Sequence, residues 1–154
     1  MASPNLRFLA LRPRLAPLLA ALRDGDDDAT AADALLREIY RAIAHFTVLA
    51  IYRADGDALT VIASRGPLEH HTLAHEQGTP GAALSTPDLI AVPKREADPR
   101  HLPTQRPFAA ELSIALPRPG RATLVLHALL EEPAALGFAD RELFEWIQRT
   151  ITNP

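Results

Sequence analysis

Residues 78–106 read GTPGAALSTPDLIAVPKREADPRHLPTQR, and the fold turns on what this stretch can be. Gly78-Thr79-Pro80-Gly81 is a turn, and Ala82 to Ser85 suffices for only about one helical turn. Leu89 to Val92 is a short apolar strand stopped by Pro93, which cannot donate to a sheet ladder. Lys94 to Arg106 is then a long basic loop rich in proline. Apolar, β-rich segments flank the whole stretch. An irregular segment is therefore expected to lie across a sheet, with a pocket beneath it.

Upstream, Phe8, Leu11, Leu15, Leu18, Leu19 and Leu22 recur at three- and four-residue spacing, the stripe of an amphipathic helix. Pro13 and Pro17 remove backbone donors, so this helix is expected to be kinked or to begin near Pro13. Asp24-Gly25-Asp26-Asp27-Asp28 breaks it. Thr30 with Asp33 resembles a capping box for a second helix, whose face is Ala32, Leu35, Leu36, Ile39, Ile43 and Phe46. The period then falls to two. Thr47 to Arg53 and Leu59 to Ser64 are β-rich and are joined by Ala54-Asp55-Gly56-Asp57, a hairpin signal. Pro67 to Glu76 is polar and ambiguous, with a short helix as one reading.

Downstream, Glu111 to Leu116 alternates, with Leu112, Ile114 and Leu116 on one face and Glu111, Ser113 and Ala115 on the other. Pro117-Arg118-Pro119-Gly120 turns the chain into Ala122 to Leu130, a nearly continuous apolar strand of the kind covered on both faces. Asp140 can cap a last helix striped by Leu143, Phe144, Ile147 and Ile151. Hairpin-joined strands with helices grouped at the ends predict an α+β fold. A central antiparallel sheet of about six strands would have the N- and C-terminal helices packed on one face. The expected organisation is an N-terminal helical extension over 1–28 and one domain over 29–152, with no internal repeat.

With 154 residues, 47% hydrophobic and 23% charged, the chain can bury a substantial core. Aromatics are only 5%, so Leu, Ile, Val and Ala must fill it. The net charge of −3 gives no general attraction to nucleic acid or to anionic lipid. Lys94 is the single lysine among 16 basic residues, a bias that, with the abundant alanine, points to a GC-rich bacterial genome. The absence of cysteine excludes disulfides, thiolate metal sites and cysteine nucleophiles. Leu15 to Leu22 could imitate a signal peptide's apolar core but is only eight residues long, contains Pro17 and ends at Arg23-Asp24 without a small-residue cleavage site. No run approaches the roughly 20 residues that span a bilayer. A cytoplasmic location is expected.

Taken in order, these segments resemble a GAF domain over residues 29–152. FTVLAIYRADGDALTVIASRG is similar to the family's first hairpin and its closing glycine. GTPGAALSTPDLIAVP resembles its Gly-x-x-Gly helix and following strand, and EADPRH its acidic-proline loop. FAAELSIALPRPGRATLVLHAL resembles the second hairpin and GFADRELFEWIQRTI the closing helix. The resemblance implies a six-stranded antiparallel sheet backed by the terminal helices. On the opposite face would lie a small-molecule pocket roofed by the 67–108 crossover. It also implies a homodimer through the terminal helices and an effector protein in trans. The chain has Lys94 where the family often has aspartate, and it lacks the asparagine-lysine-aspartate signature of cyclic-nucleotide binders. Bilin attachment and free methionine sulfoxide reduction, both known in the family, require cysteine.

Within that frame, Lys94, Arg95, Arg100, His101 and Arg106 gather positive charge that could recognise a phosphate or carboxylate, or could simply be a solvated loop paired with Glu96 and Asp98. Phe108, Glu111 and Ser113 complete the candidate ligand-binding set. Glu111 and Ser113 face either a ligand or open solvent. His127, in the most apolar strand, reads as a satisfied core histidine. His71 and His75 could share a metal if their segment is helical, though a third ligand is missing, and a polar lid helix is the competing reading. There is no Gly-x-Ser-x-Gly elbow and no phosphate-cradling glycine loop, so no enzyme and no cofactor are expected. The expectation is a non-catalytic sensor of a small anionic ligand. The alternative is a ligand-free interaction module whose residues 8–22 form the partner surface.

Overall fold

The computed structural model describes residues 4–132 and 136–153. Two helices come first, α1 (Pro4–Asp24) and α2 (Asp28–Ala42), followed by the hairpin β1 (Val48–Asp55) and β2 (Ala58–Arg65). The crossover contains β3 (Thr72–Ala74), α3 (Gly78–Ala83), β4 (Ile90–Val92) and a 3-10 turn (Arg95–Ala97). The hairpin β5 (Ala110–Arg118) and β6 (Arg121–Leu130) and the closing helix α4 (Phe138–Thr152) complete it. The six strands form one antiparallel sheet in the order β3-β2-β1-β6-β5-β4, the α+β architecture expected.

Strand alternation divides the interior in two. On one face Leu49 and Ile51 of β1, Leu112, Ile114 and Leu116 of β5, and Leu124, Leu126, Ala128 and Leu130 of β6 meet the three long helices in a single core. Helix α1 belongs to that core through Phe8, Leu11, Leu15, Leu19 and Leu22. The other face carries Ala50, Tyr52 and Val125 against Leu59, Leu73, Ala83, Ile90 and Val92 of the strands and crossover. Residues one apart in sequence thus belong to different cores.

Several local expectations change. Helix α1 spans both Pro13 and Pro17, because its buried leucine stripe continues on either side and both prolines lie on the exposed face. Asp27, not Thr30, caps α2, accepting from the Thr30 amide at 3.1 Å and the Thr30 hydroxyl at 2.7 Å. Asp140 lies within the first turn of α4, where its carboxylate accepts the Gly137 amide at 2.9 Å. Thr72 to Ala74 is an edge strand rather than a lid helix, because Leu73 is buried while its two neighbours stand out to solvent. On an extended chain His71 and His75 are about 13 Å apart, since each residue advances about 3.3 Å. The helical premise for a shared metal is gone. Among the described residues no three potential metal ligands cluster.

A buried arginine ties the helices to the sheet. Arg118, at the end of β5, donates to both carboxylate oxygens of Asp28 at 2.7 and 3.1 Å and to the carbonyl of Leu22 at 3.1 Å. Arg121 reaches the same carboxylate at 3.2 Å and the carbonyl of Arg23 at 2.8 Å. Asp28 thus joins the end of α1, the start of α2 and the second hairpin. Removing one partner strands the buried guanidinium, so Asp28→Ala is expected to cost about 3 kcal/mol. Urea unfolding checks this, and a loss below about 0.5 kcal/mol would make the clasp ornamental.

Candidate functional site

The face of the sheet away from the long helices becomes polar at its centre. Ser113 of β5 stands opposite His127 of β6, and Glu111 opposite Leu129. The Ser113 hydroxyl lies 2.8 Å from His127 Nδ1 and 2.9 Å from the Thr79 hydroxyl of α3. A hydrogen-bonded chain therefore runs from the crossover helix to the central strand, and all three residues are buried. Glycine at 78 and 81 lets the chain turn tightly into α3. Gly78 has φ of +70°, and a Cβ at 81 would sit 2.8 Å from the backbone of Glu76.

Arg95 enters from the crossover. Its amide is fixed to the Ala109 carbonyl at 2.7 Å, and its side chain turns inward. Its Nε donates to Glu111 Oε2 at 3.0 Å, one terminal nitrogen to the Thr104 hydroxyl at 3.3 Å and the other to the Leu102 carbonyl. Both Arg95 and Glu111 are buried. Glu111 Oε1 has no hydrogen-bond partner among the described residues. Beside it is a cavity of about 20 Å³ whose lining includes Tyr52, Thr79, Arg95, Leu102, Glu111 and His127. That volume holds about one water.

The roof is stitched down by side chains holding its main chain. The Glu69 carboxylate accepts the amides of Gln105 at 2.8 Å and Arg106 at 3.3 Å. His70 Nε2 is 3.0 Å from the Pro103 carbonyl, and the Tyr52 hydroxyl donates to the His70 carbonyl at 2.6 Å. Electrostatics follow the geometry. The bond from the Gln105 amide holds the Glu69 carboxyl below its ordinary range. Burial, reinforced by the Glu111 charge, pushes the Tyr52 hydroxyl up. Burial holds His127 below the ordinary imidazole value of 6.5 against the pull of Glu111, so the ring is neutral.

The sequence-derived candidates separate into three groups. Arg95, Glu111 and Ser113 come together at the cavity or its wall. Phe108 is buried against Val48 and Leu129 and lines the open groove on which Lys94 lies. The remaining cations do not converge. Arg100 is engaged with Asp98, whose carboxyl its hydrogen bond lowers to about 2. His101 Nδ1 lies 2.9 Å from the Asp98 carbonyl, and Arg106 pairs with Glu131 outside the roof. Lys94 lies on an open groove of about 630 Å³, together with Glu96, Glu131 and Glu132. The expected anion site therefore reduces to Arg95, whose charge Glu111 already neutralises.

Tyr52, Thr79 and His127 escaped the sequence reading as site residues. For His127 counting misleads. Counted outward from the Arg118–Arg121 pair, 127 would stand opposite 112, and the register shift between Leu116 and Arg118 is what brings it opposite Ser113, on the face of Glu111.

No protein-family model matches the chain, and no curated protein does. Solved structures do. The free methionine-R-sulfoxide reductase of Neisseria meningitidis, in complex with its substrate, superposes with a TM-score of 0.85 at 20% identity, covering 98% of this chain and 89% of that one. A protein described as a GAF sensor, from Burkholderia vietnamiensis, gives 0.84 at 20% identity over 99% and 95%. The GAF domain of a phosphoenolpyruvate-protein phosphotransferase from Coxiella burnetii gives 0.80 at 11% identity over 97% and 92%. The chain has the GAF fold. The expectation that it is no enzyme is overturned as an inference, because reductases are built on this same fold. The missing serine elbow and glycine loop exclude only the chemistries that those motifs perform.

The neutral burial of His127 gives a signed prediction. Below pH 6.5 the unfolded chain takes up a proton that the folded imidazole refuses until its lower pKa is reached. Stability is therefore full above that pH and declines as pH falls, by at most about 1.4 kcal/mol per pH unit for this one group. Denaturant midpoints between pH 7 and pH 5 should show a shallower decline in His127→Asn than in the parent. Parallel curves would refute the assignment.

Proposed function

We propose that this GAF-fold chain binds a small polar molecule carrying an N–H donor, in the space between the sheet and the 67–108 crossover, and that Glu111 receives the donor. The observation that carries this reading is the unpartnered Oε1 of a carboxylate only 3% exposed. A buried acceptor left unpaired costs about 1–3 kcal/mol, more when charged, so a ligand that supplies the donor recovers that cost on binding. Tyr52, Thr79 and His127 surround the same point, an aromatic wall with a few convergent polar groups. The Neisseria reductase, solved with its substrate, supports the use of this fold for a small molecule. The GAF sensor from Burkholderia supports a sensory or regulatory role, with occupancy passed to an effector protein in trans.

Thermal shift with primary amines, amino acids and matched carboxylates tests the reading, with native mass spectrometry for stoichiometry. A ligand at 100 times its Kd stabilises by about 2.7 kcal/mol, and each kcal/mol moves the midpoint by roughly 2–4 °C at this size. Amine-bearing compounds should produce the shift and carboxylates alone should not. Glu111→Gln should abolish the shift. Equal response to both classes, or an unaffected Gln variant, would refute the proposal.

A second surface bears on assembly. The leucine stripe of α1 is spent in the core, yet the opposite face is also apolar. Leu9 is 52% exposed, and Ala10, Pro13, Ala16, Pro17 and Ala21 are exposed with it, with Arg7 and Arg14 as exposed charged residues beside them. We infer that this face joins a second copy. Light scattering should show a dimer for the parent and a monomer for Leu9→Glu combined with Ala16→Glu. A parent that stays monomeric at high concentration would end this inference.

A further inference from the structure

We propose that Arg95 is a displaceable gate on this site, shut by Glu111 and opened when a cationic ligand takes its place on that carboxylate. The inference rests on the reading that Glu111 receives an N–H donor, and it goes on to fix the ligand's charge and its way in.

Arg95 lines both the inner cavity of about 20 Å³ and the outer groove of about 630 Å³, so this residue stands between them. The inner space alone takes about one water, whereas ligand pockets run to several hundred cubic ångströms. Movement of this side chain joins the two spaces without moving the sheet. The movement is local, because the Arg95 amide stays on the Ala109 carbonyl while only the side chain swings. Leaving the Leu102 carbonyl and the Thr104 hydroxyl also frees that part of the roof.

Charge decides what can open the gate. A cation entering beside the intact pair would leave one positive charge buried without compensation, and an anion displacing nothing would meet Glu111. Exchange of one cation for another keeps the site neutral. The departing guanidinium also has somewhere to go. Glu96, Glu131 and Glu132 line the outer groove, and neither Glu96 nor Glu132 has an ion-pair partner among the described residues. Arg95 thus has an inner station at Glu111 and outer stations across the groove, the arrangement of a two-state side chain that a ligand can bias.

The test uses n-propylammonium as probe and propionate as control, titrated by NMR into the whole chain. If the inward state of Arg95 dominates tenfold, removing it should tighten propylammonium binding about tenfold, because apparent affinity scales with the open fraction. Arg95→Ala should therefore bind the amine more tightly than the parent, and propionate should bind neither. Glu96→Gln with Glu132→Gln should weaken binding in the parent and leave the Arg95→Ala protein unaffected. Equal or weaker amine binding by Arg95→Ala overturns the gate while leaving Glu111 as the receiving group. Absence of amine binding in both proteins overturns the underlying reading and the gate with it. Should Arg95→Ala not fold, the Arg95 Nε–H resonance of the parent serves. Propylammonium should shift it and speed its exchange with water, and a resonance unmoved at saturating probe overturns the gate.

Discussion

Register in the β5–β6 ladder is the constraint on which the rest depends. Because side chains alternate, a slip of one residue would carry Glu111, Ser113 and His127 into the helix-facing core and turn Leu112 and Leu126 towards the crossover. The correct register places Leu112, Ile114, Leu116, Leu124, Leu126 and Leu130 on one side and a compact polar group on the other. Hydrophobic burial on the helix side, worth about 25 cal/mol per Å² of apolar surface, therefore also holds the polar site in position. The irregularity between Leu116 and Arg118 sets that register, because without it 127 would pair with 112 instead of Ser113.

Around this ladder the chain is closed from two directions. Behind it, Arg118 and Asp28 bind the ends of two helices to the hairpin at one buried point. In front, the crossover is held by the Thr79–Ser113–His127 chain, by Arg95 on Glu111 and by Glu69 on the roof amides. The two closures differ in kind. The rear clasp is backed by a continuous apolar core, and the front one is largely polar with one acceptor left over. Local opening should favour the front, where fewer apolar contacts oppose it.

Much of this could be read from the chain, for identifiable reasons. Alternation from Glu111 to Leu116 announced the two faces, and the Gly-Thr-Pro-Gly turn announced a crossover pressed close to the sheet, because each depends on local chemistry. The course of α1 through two prolines was not legible, since burial of its leucines outweighs the lost backbone bonds only once the core exists. The edge strand at Leu73 stayed hidden because three residues carry too little periodicity to register. Site residues divided similarly. Glu111 and Ser113 followed from one strand's pattern, whereas Tyr52, Thr79 and His127 required knowing which strands and helix are neighbours. The basic loop misled because charge along a sequence says nothing about the direction in which each side chain turns. Arg95 went in, and Lys94, Arg100 and Arg106 stayed out.

The way the roof is attached has a consequence for how such a chain can change over time. Glu69 and His70 hold main-chain groups of residues 103, 105 and 106, so these three bonds do not depend on which side chains stand at those positions. Attachment and surface character are thereby separated. The outer face of the roof can exchange charge for apolar or aromatic character, generation after generation, while the space beneath keeps its shape. A fold that fastens its cover by the backbone leaves the outward-facing side chains open to selection for whatever happens outside.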